Sequence, residues 1–97
     1  MMNPVLCEAI EGKFLIEFFY EGGIRIVEPH CYGISSAGNE ALRGYQIDGF
    51  SSSGTLGWRM FTLSKVRNMT VTEKTFPNPR PGYKKGDRGM KEIFCEL

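Results

Sequence analysis

Histidine and tryptophan each occur once in this chain, at His30 and Trp58, and cysteine only at Cys7, Cys31 and Cys95. A single histidine cannot supply a histidine-rich metal cluster. Cysteines without a Cys-x-x-Cys pair offer no zinc spacing. An odd number of cysteines so far apart argues against a disulfide framework, and small buried or half-buried thiols are expected. His30 beside Cys31 makes no catalytic dyad, because adjacent strand side chains point to opposite faces. Phosphate-binding Gly-x-Gly-x-x-Gly and Gly-Lys-Ser/Thr motifs are missing, and Gly86-Asp87-Arg88-Gly89 is only a turn-prone run. Glu8 and Glu11 fall on a short helix and Asp48 near a loop, so nothing pairs the carboxylates for acid–base work. Neither an enzyme nor a cofactor is expected. No apolar run approaches the roughly 20 residues of a membrane-spanning helix. Met1-Met2-Asn3-Pro4 lacks the basic and apolar regions of a secretory signal. The cytoplasm is the expected compartment, with no membrane partner.

What is present suits one small domain, residues 1–97. Its 41% apolar and 12% aromatic content can bury enough surface to offset chain entropy. Net charge is only +1, but it is unevenly spread. Met1 to Phe50 carries three basic residues against seven acidic, and Ser51 to Leu97 nine against four. Such asymmetry permits a local anion-binding face.

Asn3 as cap, Pro4 at the first turn, and Leu6 and Ile10 at helical spacing predict a short helix that Gly12 ends with positive φ. From Phe14 the period becomes two. Strands are expected at Leu15–Tyr20, Ile24–Val27, Leu42–Phe50, Trp58–Leu63 and Met69–Thr75, with Glu21-Gly22-Gly23 as the first turn. Pro29 ends or bends the second strand. Gly33 to Asn39 and Ser51-Ser52-Ser53-Gly54 read as loops. The predicted core holds Leu6, Ile10, Ile16, Phe18, Ile26, Phe61, Leu63 and Val71. The fold class is mainly β: a curled sheet or barrel at about 6–75, then an extended Pro-rich tail at 76–97. Alternation in Lys91–Leu97 favours a final edge strand.

Several strand residues carry recognisable chemistry. Arg43 and Tyr45 share a face, being two apart, and Arg59 alternates in phase with Phe61, Leu63 and Lys65. With Tyr20, Arg25 and His30 they could form a small anion site, since arginine offers a planar fork and tyrosine a stacking face. Equally, strand arginines lay their stems over apolar neighbours and pair with surface glutamates. In the tail Arg80, Lys84, Lys85, Arg88 and Lys91 face only Asp87. That run is either a solvated surface or a contact for nucleic acid.

At these residues the sequence resembles the WYL domain family. The parallels are Ala9-Ile10-Glu11-Gly12-Lys13 leading into Ile16-Glu17-Phe18-Phe19-Tyr20, then Arg25-Ile26-Val27-Glu28-Pro29-His30. Leu42-Arg43-Gly44-Tyr45 and Arg59-Met60-Phe61-Thr62-Leu63-Ser64-Lys65-Val66 follow. Where the family reads Trp-Tyr-Leu, this chain has Glu40-Ala41-Leu42. The resemblance implies an SH3-like, Sm-type, five-stranded barrel with a short N-terminal helix. It further implies a bacterial regulatory module that senses a nucleotide or single-stranded nucleic acid. The residues it carries over are Tyr20, Arg25, His30, Arg43, Arg59 and Lys65, with Arg25, Arg43 and Arg59 around one groove. The rival reading is a protein-interaction or oligomerisation module, with a regulatory protein or further copies of the chain as partner.

Overall fold

The structure, a computed structural model, describes residues 3–97; Met1 and Met2, which open the stretch read for a secretory signal, lie outside them. Helix α1 spans Pro4–Gly12. The Asn3 side chain accepts from the backbone N–H of Val5 at 3.0 Å and of Leu6 at 3.3 Å, satisfying two donors the first turn leaves free. The residue with left-handed φ at the far end is Lys13, not Gly12, which closes the last helical turn. Leu6, Ala9 and Ile10 lie on the buried stripe.

Six strands follow: β1 Phe14–Tyr20, β2 Gly23–Ser35, β3 Glu40–Gly49, β4 Gly57–Thr62, β5 Arg67–Thr75 and β6 Met90–Glu96. A 3-10 turn, η1, occupies Leu63–Lys65 between β4 and β5. All neighbours pair antiparallel, in the order β4-β3-β2-β1-β5, with β6 on the later half of β2. The β1–β2 hairpin turns on Glu21 (φ 36°) and Gly22 (φ 103°), the two positive-φ residues that a tight hairpin of matching twist demands.

Laid flat, the five-strand path would put β4 and β5 about 19 Å apart, four strand spacings. Only Leu63–Val66 joins them, and most of that link is a helical turn rising about 2 Å per residue. The sheet therefore curls steeply. It remains open, because β4 and β5 form no ladder with each other among the described residues. Within the curl lie Ile16, Phe18, Tyr20, Val27, Tyr32, Leu42 and Phe61, plugged by α1.

Several expectations are corrected. Pro29 does not end β2; the strand runs on to Ser35, and the missing donor is absorbed by a register shift between Pro29 and Cys31. The phase of β2 is also reversed: Arg25 and Val27 point inward, while Ile26 is only half-buried. Leu63 and Val71 pack against the core but are only partly buried. The final strand expected over Lys91–Leu97 forms as β6 and joins the sheet as a sixth strand, so of the extended tail expected at 76–97 only 76–89 stays irregular. Finally, Cys7 of α1 and Cys95 of β6 form a disulfide, with their Cα atoms 5.7 Å apart. Of the expected thiols only Cys31 remains, buried, its pKa pushed up to about 12 chiefly by burial. No helix among the described residues is long and apolar enough to cross a membrane.

Candidate functional site

The curled sheet has two faces, and the register divides the candidate residues between them. Directly opposed residues on paired strands project to the same side. Arg59 faces Gly44 and Phe61 faces Leu42, so all four belong to the inner face. Arg43 opposes Met60, and Tyr45 opposes Trp58 on one side and Glu28 on the other; these belong to the outer face. The groove expected around Arg25, Arg43 and Arg59 therefore does not form. Period two across β3 and β4 sends Arg43 to the opposite side from the other two.

On the inner face, Arg25 is a structural strut at one end of the curl, only 4% exposed. Its Nε donates to the Tyr20 carbonyl at 3.1 Å, one terminal nitrogen to the Glu21 carbonyl at 3.1 Å, and the other to Gln46 Oε1 at 3.4 Å. The rings of Tyr20 and Phe50 lie 5.4 and 5.3 Å from its guanidinium carbon. Burial, then the charge of Arg59, pull its pKa below the ordinary guanidinium value. Arg59 itself ties down the β3–β4 loop, donating to Ser51 Oγ (2.9 Å), Ser53 Oγ (3.0 Å) and the Thr55 carbonyl (2.7 Å). Its Nε is buried without a hydrogen-bond partner. The Tyr20 hydroxyl accepts from the Thr62 N–H at 3.1 Å. Lys65 pairs with Glu21 at 3.1 Å on the open surface, where such a bridge adds little stability.

Chemistry collects instead on the outer face, where residues 76–89 lie across β2, β3 and β4 as a strap. Glu28, 4% exposed, receives the Arg80 guanidinium in a two-pronged pair at 2.7 and 3.1 Å. That guanidinium also lies 4.5 Å from the centre of the Tyr45 ring. His30 is fully buried under the strap, stacked on Phe76 and edge-on to Trp58. Further along, Arg43 holds Asp87 at 2.6 and 3.3 Å, and that pair keeps the Asp87 carboxyl below its ordinary pKa. Asp87 Oδ1 in turn accepts from the Gly89 N–H, which fixes the turn leading into β6.

Between β4 and the strap this leaves an open groove of about 590 Å³. Trp58 and Tyr83 line it as near-parallel rings, 24° apart in plane and 6.1 Å between centres. Lys84, Lys85 and Arg88 complete the wall, all exposed and with no ion-pair partner among the described residues. The nearby acids are already engaged: Asp87 by Arg43, and Glu96 as acceptor from the Gly86 N–H at 2.9 Å. No protein-family model, curated protein or solved structure matches the chain.

Of the expected site residues, Arg43 lines this groove, Tyr45 and His30 lie beneath the strap beside it, and Tyr20, Arg25, Arg59 and Lys65 lie elsewhere. Trp58, Tyr83 and Asp87 were missed as site residues. The sequence did carry one signal, the basic run from Arg80 to Lys91. Only the fold reveals that a tryptophan about 25 residues upstream stacks against it. Among the described residues no three His, Cys, Asp or Glu side chains are grouped to hold a metal ion.

Proposed function

We propose that the protein is a regulatory ligand-binding module, a WYL-like, Sm-type barrel in its β1–β5 portion, that binds a nucleotide or short single-stranded nucleic acid between β4 and the strap. The observation that carries this reading is the joining of two flat aromatic faces to three uncommitted cations in one open groove. Bases stack on aromatic rings whatever their identity, and phosphates pair with lysine and arginine. No proton-transfer group is required, so the reading is one of binding and not of catalysis.

Because Trp58 is the sole tryptophan, its fluorescence reports on this wall alone. Titration with short oligothymidylates is expected to quench it. If Lys84, Lys85 and Arg88 each neutralise one phosphate, affinity falls about 20-fold between 50 and 200 mM salt through counterion release from a single strand. The double substitution Lys84→Glu, Lys85→Glu removes the quench without unfolding the protein. An unchanged Trp58 signal at millimolar oligonucleotide, or a quench indifferent to salt, overturns the reading.

A further inference from the structure

Beside the Glu28–Arg80 and Arg43–Asp87 pairs, the strap is held to the sheet by one buried titratable ring. His30 sits at the irregularity in β2 between Pro29 and Cys31, fully buried. Its Nδ1 lies 2.8 Å from the Glu28 carbonyl oxygen, and its Nε2 lies 3.0 Å from the Arg80 backbone nitrogen. A carbonyl can only accept and an amide N–H can only donate. Nδ1 therefore carries the proton, and Nε2 presents a lone pair. The bond accepted at Nε2 exists only while the imidazole is neutral, whereas the Nδ1–H bond to Glu28 survives protonation.

We propose that the strap is a pH-dependent clasp, in which protonation of His30 at Nε2 unseats the turn at Arg80–Tyr83 and dismantles the aromatic wall of the groove. A second proton sets N–H against N–H at 3.0 Å, so one of the two groups has to withdraw. The ring is held on the sheet side by its Nδ1–H bond to the Glu28 carbonyl and by Trp58, 4.7 Å away between ring centres, whereas its other neighbours Phe76 and Tyr83 belong to the strap. The strap can withdraw, since residues 76–89 contribute to no ladder. The Tyr83 hydroxyl leans on the same residue, donating to the His30 carbonyl at 3.3 Å.

The charged and titratable surroundings of the ring are few. From β2 come Glu28, with both its carbonyl and its carboxylate, and the adjacent Cys31 thiol. The strap brings Arg80 and Tyr83, and Tyr45 of β3 stands behind the Arg80 guanidinium. The facing residue of β4 is Trp58; β6 places Glu96 opposite Cys31, and Leu97, just past β6, gives its N–H to the His30 carbonyl. Burial is the largest influence and lowers the His30 pKa; the Glu28 carbonyl and charge oppose it, and the Arg80 charge adds to it. A folded pKa below the ordinary 6.5 means that the clasp's contribution is complete above that value. It is lost as pH falls from there through the folded pKa, because the open state binds the extra proton.

The biological consequence rests on the groove being a nucleic-acid site, but the clasp can be tested without any ligand. As the only histidine, His30 gives an unambiguous ring Cε1–H resonance in NMR of the full chain. Between pH 7.5 and 5, hydrogen-exchange protection at the Arg80 and Tyr83 amides, corrected for intrinsic exchange, is expected to fall in step with that resonance. Amides of the β2–β3 ladder should hold. His30→Gln keeps an acceptor oxygen that does not titrate in this range, and its strap protection should be flat with pH. Titration of His30 with an unmoved strap overturns the clasp, as does no titration above pH 5, or loss of strap and sheet together. Oligothymidylate binding supplies a separate arm. A basic groove alone holds or tightens as pH falls, whereas the clasp predicts weaker binding. Failure to bind at pH 7.5 would dismiss the nucleic-acid reading while the strap amides still decide the clasp.

Discussion

Replacing Phe61 with alanine is expected to lower stability by about 3–5 kcal/mol, the usual cost of deleting a buried aromatic ring. Phe61 is 1% exposed at the centre of the inner face. Its ring meets Phe18 at 5.0 Å and Tyr20 at 5.1 Å, both edge-on, so the deletion removes two aromatic contacts as well as buried area. The cavity cannot easily collapse. The Tyr20 hydroxyl is tied to the Thr62 backbone, and Phe18 belongs to the central hairpin of the sheet. The loss should therefore lie toward the top of the range, and the melting temperature should drop by about 15 °C or more. Urea unfolding curves that shift by less than about 1 kcal/mol would show that Phe61 does not fill this core.

Removing the Cys7–Cys95 link should cost about as much, by a different route. The two residues are 88 apart in sequence, so the bond constrains nearly the whole unfolded chain. Loop-closure entropy assigns about 4–5 kcal/mol to a tie of that span. Cys7→Ser with Cys95→Ser, or reduction by dithiothreitol, should shift the unfolding midpoint by that amount. The native sheet should remain, because α1 still buries Leu6, Ala9 and Ile10. Thiol titration provides a check. The native protein should show no reactive thiol, since Cys31 is buried with a raised pKa, and the denatured, unreduced protein should show one. Three thiols on denaturation, or identical unfolding curves with and without reductant, would remove the tie from the account. A structural disulfide persists in oxidising surroundings, so this count also tests the expectation of a cytoplasmic setting.

How much was legible in the sequence depended on how local each cause was. The α1 cap, the apolar stripe and the β1–β2 turn follow from residues within one or two turns of each other, and the sequence reading places them correctly apart from the exchange of Gly12 for Lys13. The phase of β2 was not legible. Ile24 and Ile26 alternate as inward residues should, yet Arg25 points inward because the carbonyls of Tyr20 and Glu21, the Gln46 amide and two aromatic rings satisfy it there. Three of those five partners stand close by in sequence, but Gln46 and Phe50 arrive from β3 and its end. The course of β2 past Pro29 depended likewise on the register of β3. The disulfide joins cysteines whose spacing carries no signal; only the docking of β6 on β2, beside α1, brings them together. The groove failed to show for the same reason, since its walls come from β4 and from a strap fixed by Glu28, His30 and Arg43 on two other strands.

The strand β2 also brings the two extremities of the described chain together. The Asn3 N–H donates to the Tyr32 hydroxyl at 2.8 Å, and the Leu97 N–H donates to the His30 carbonyl at 2.9 Å. Over residues 3–97 the path of the chain is thus almost a closed ring, and the position of the break in that ring is arbitrary to the sheet. Joining Leu97 to Met1 through a short Gly/Ser linker and reopening the chain between Ser53 and Gly54, both exposed, should preserve every ladder. In such a circular permutant β6 and α1 become neighbours in sequence, and β3 and β4 become the distant pair. The folding route would change while the native architecture stayed the same, with linear chain order and spatial order separated by a single cut.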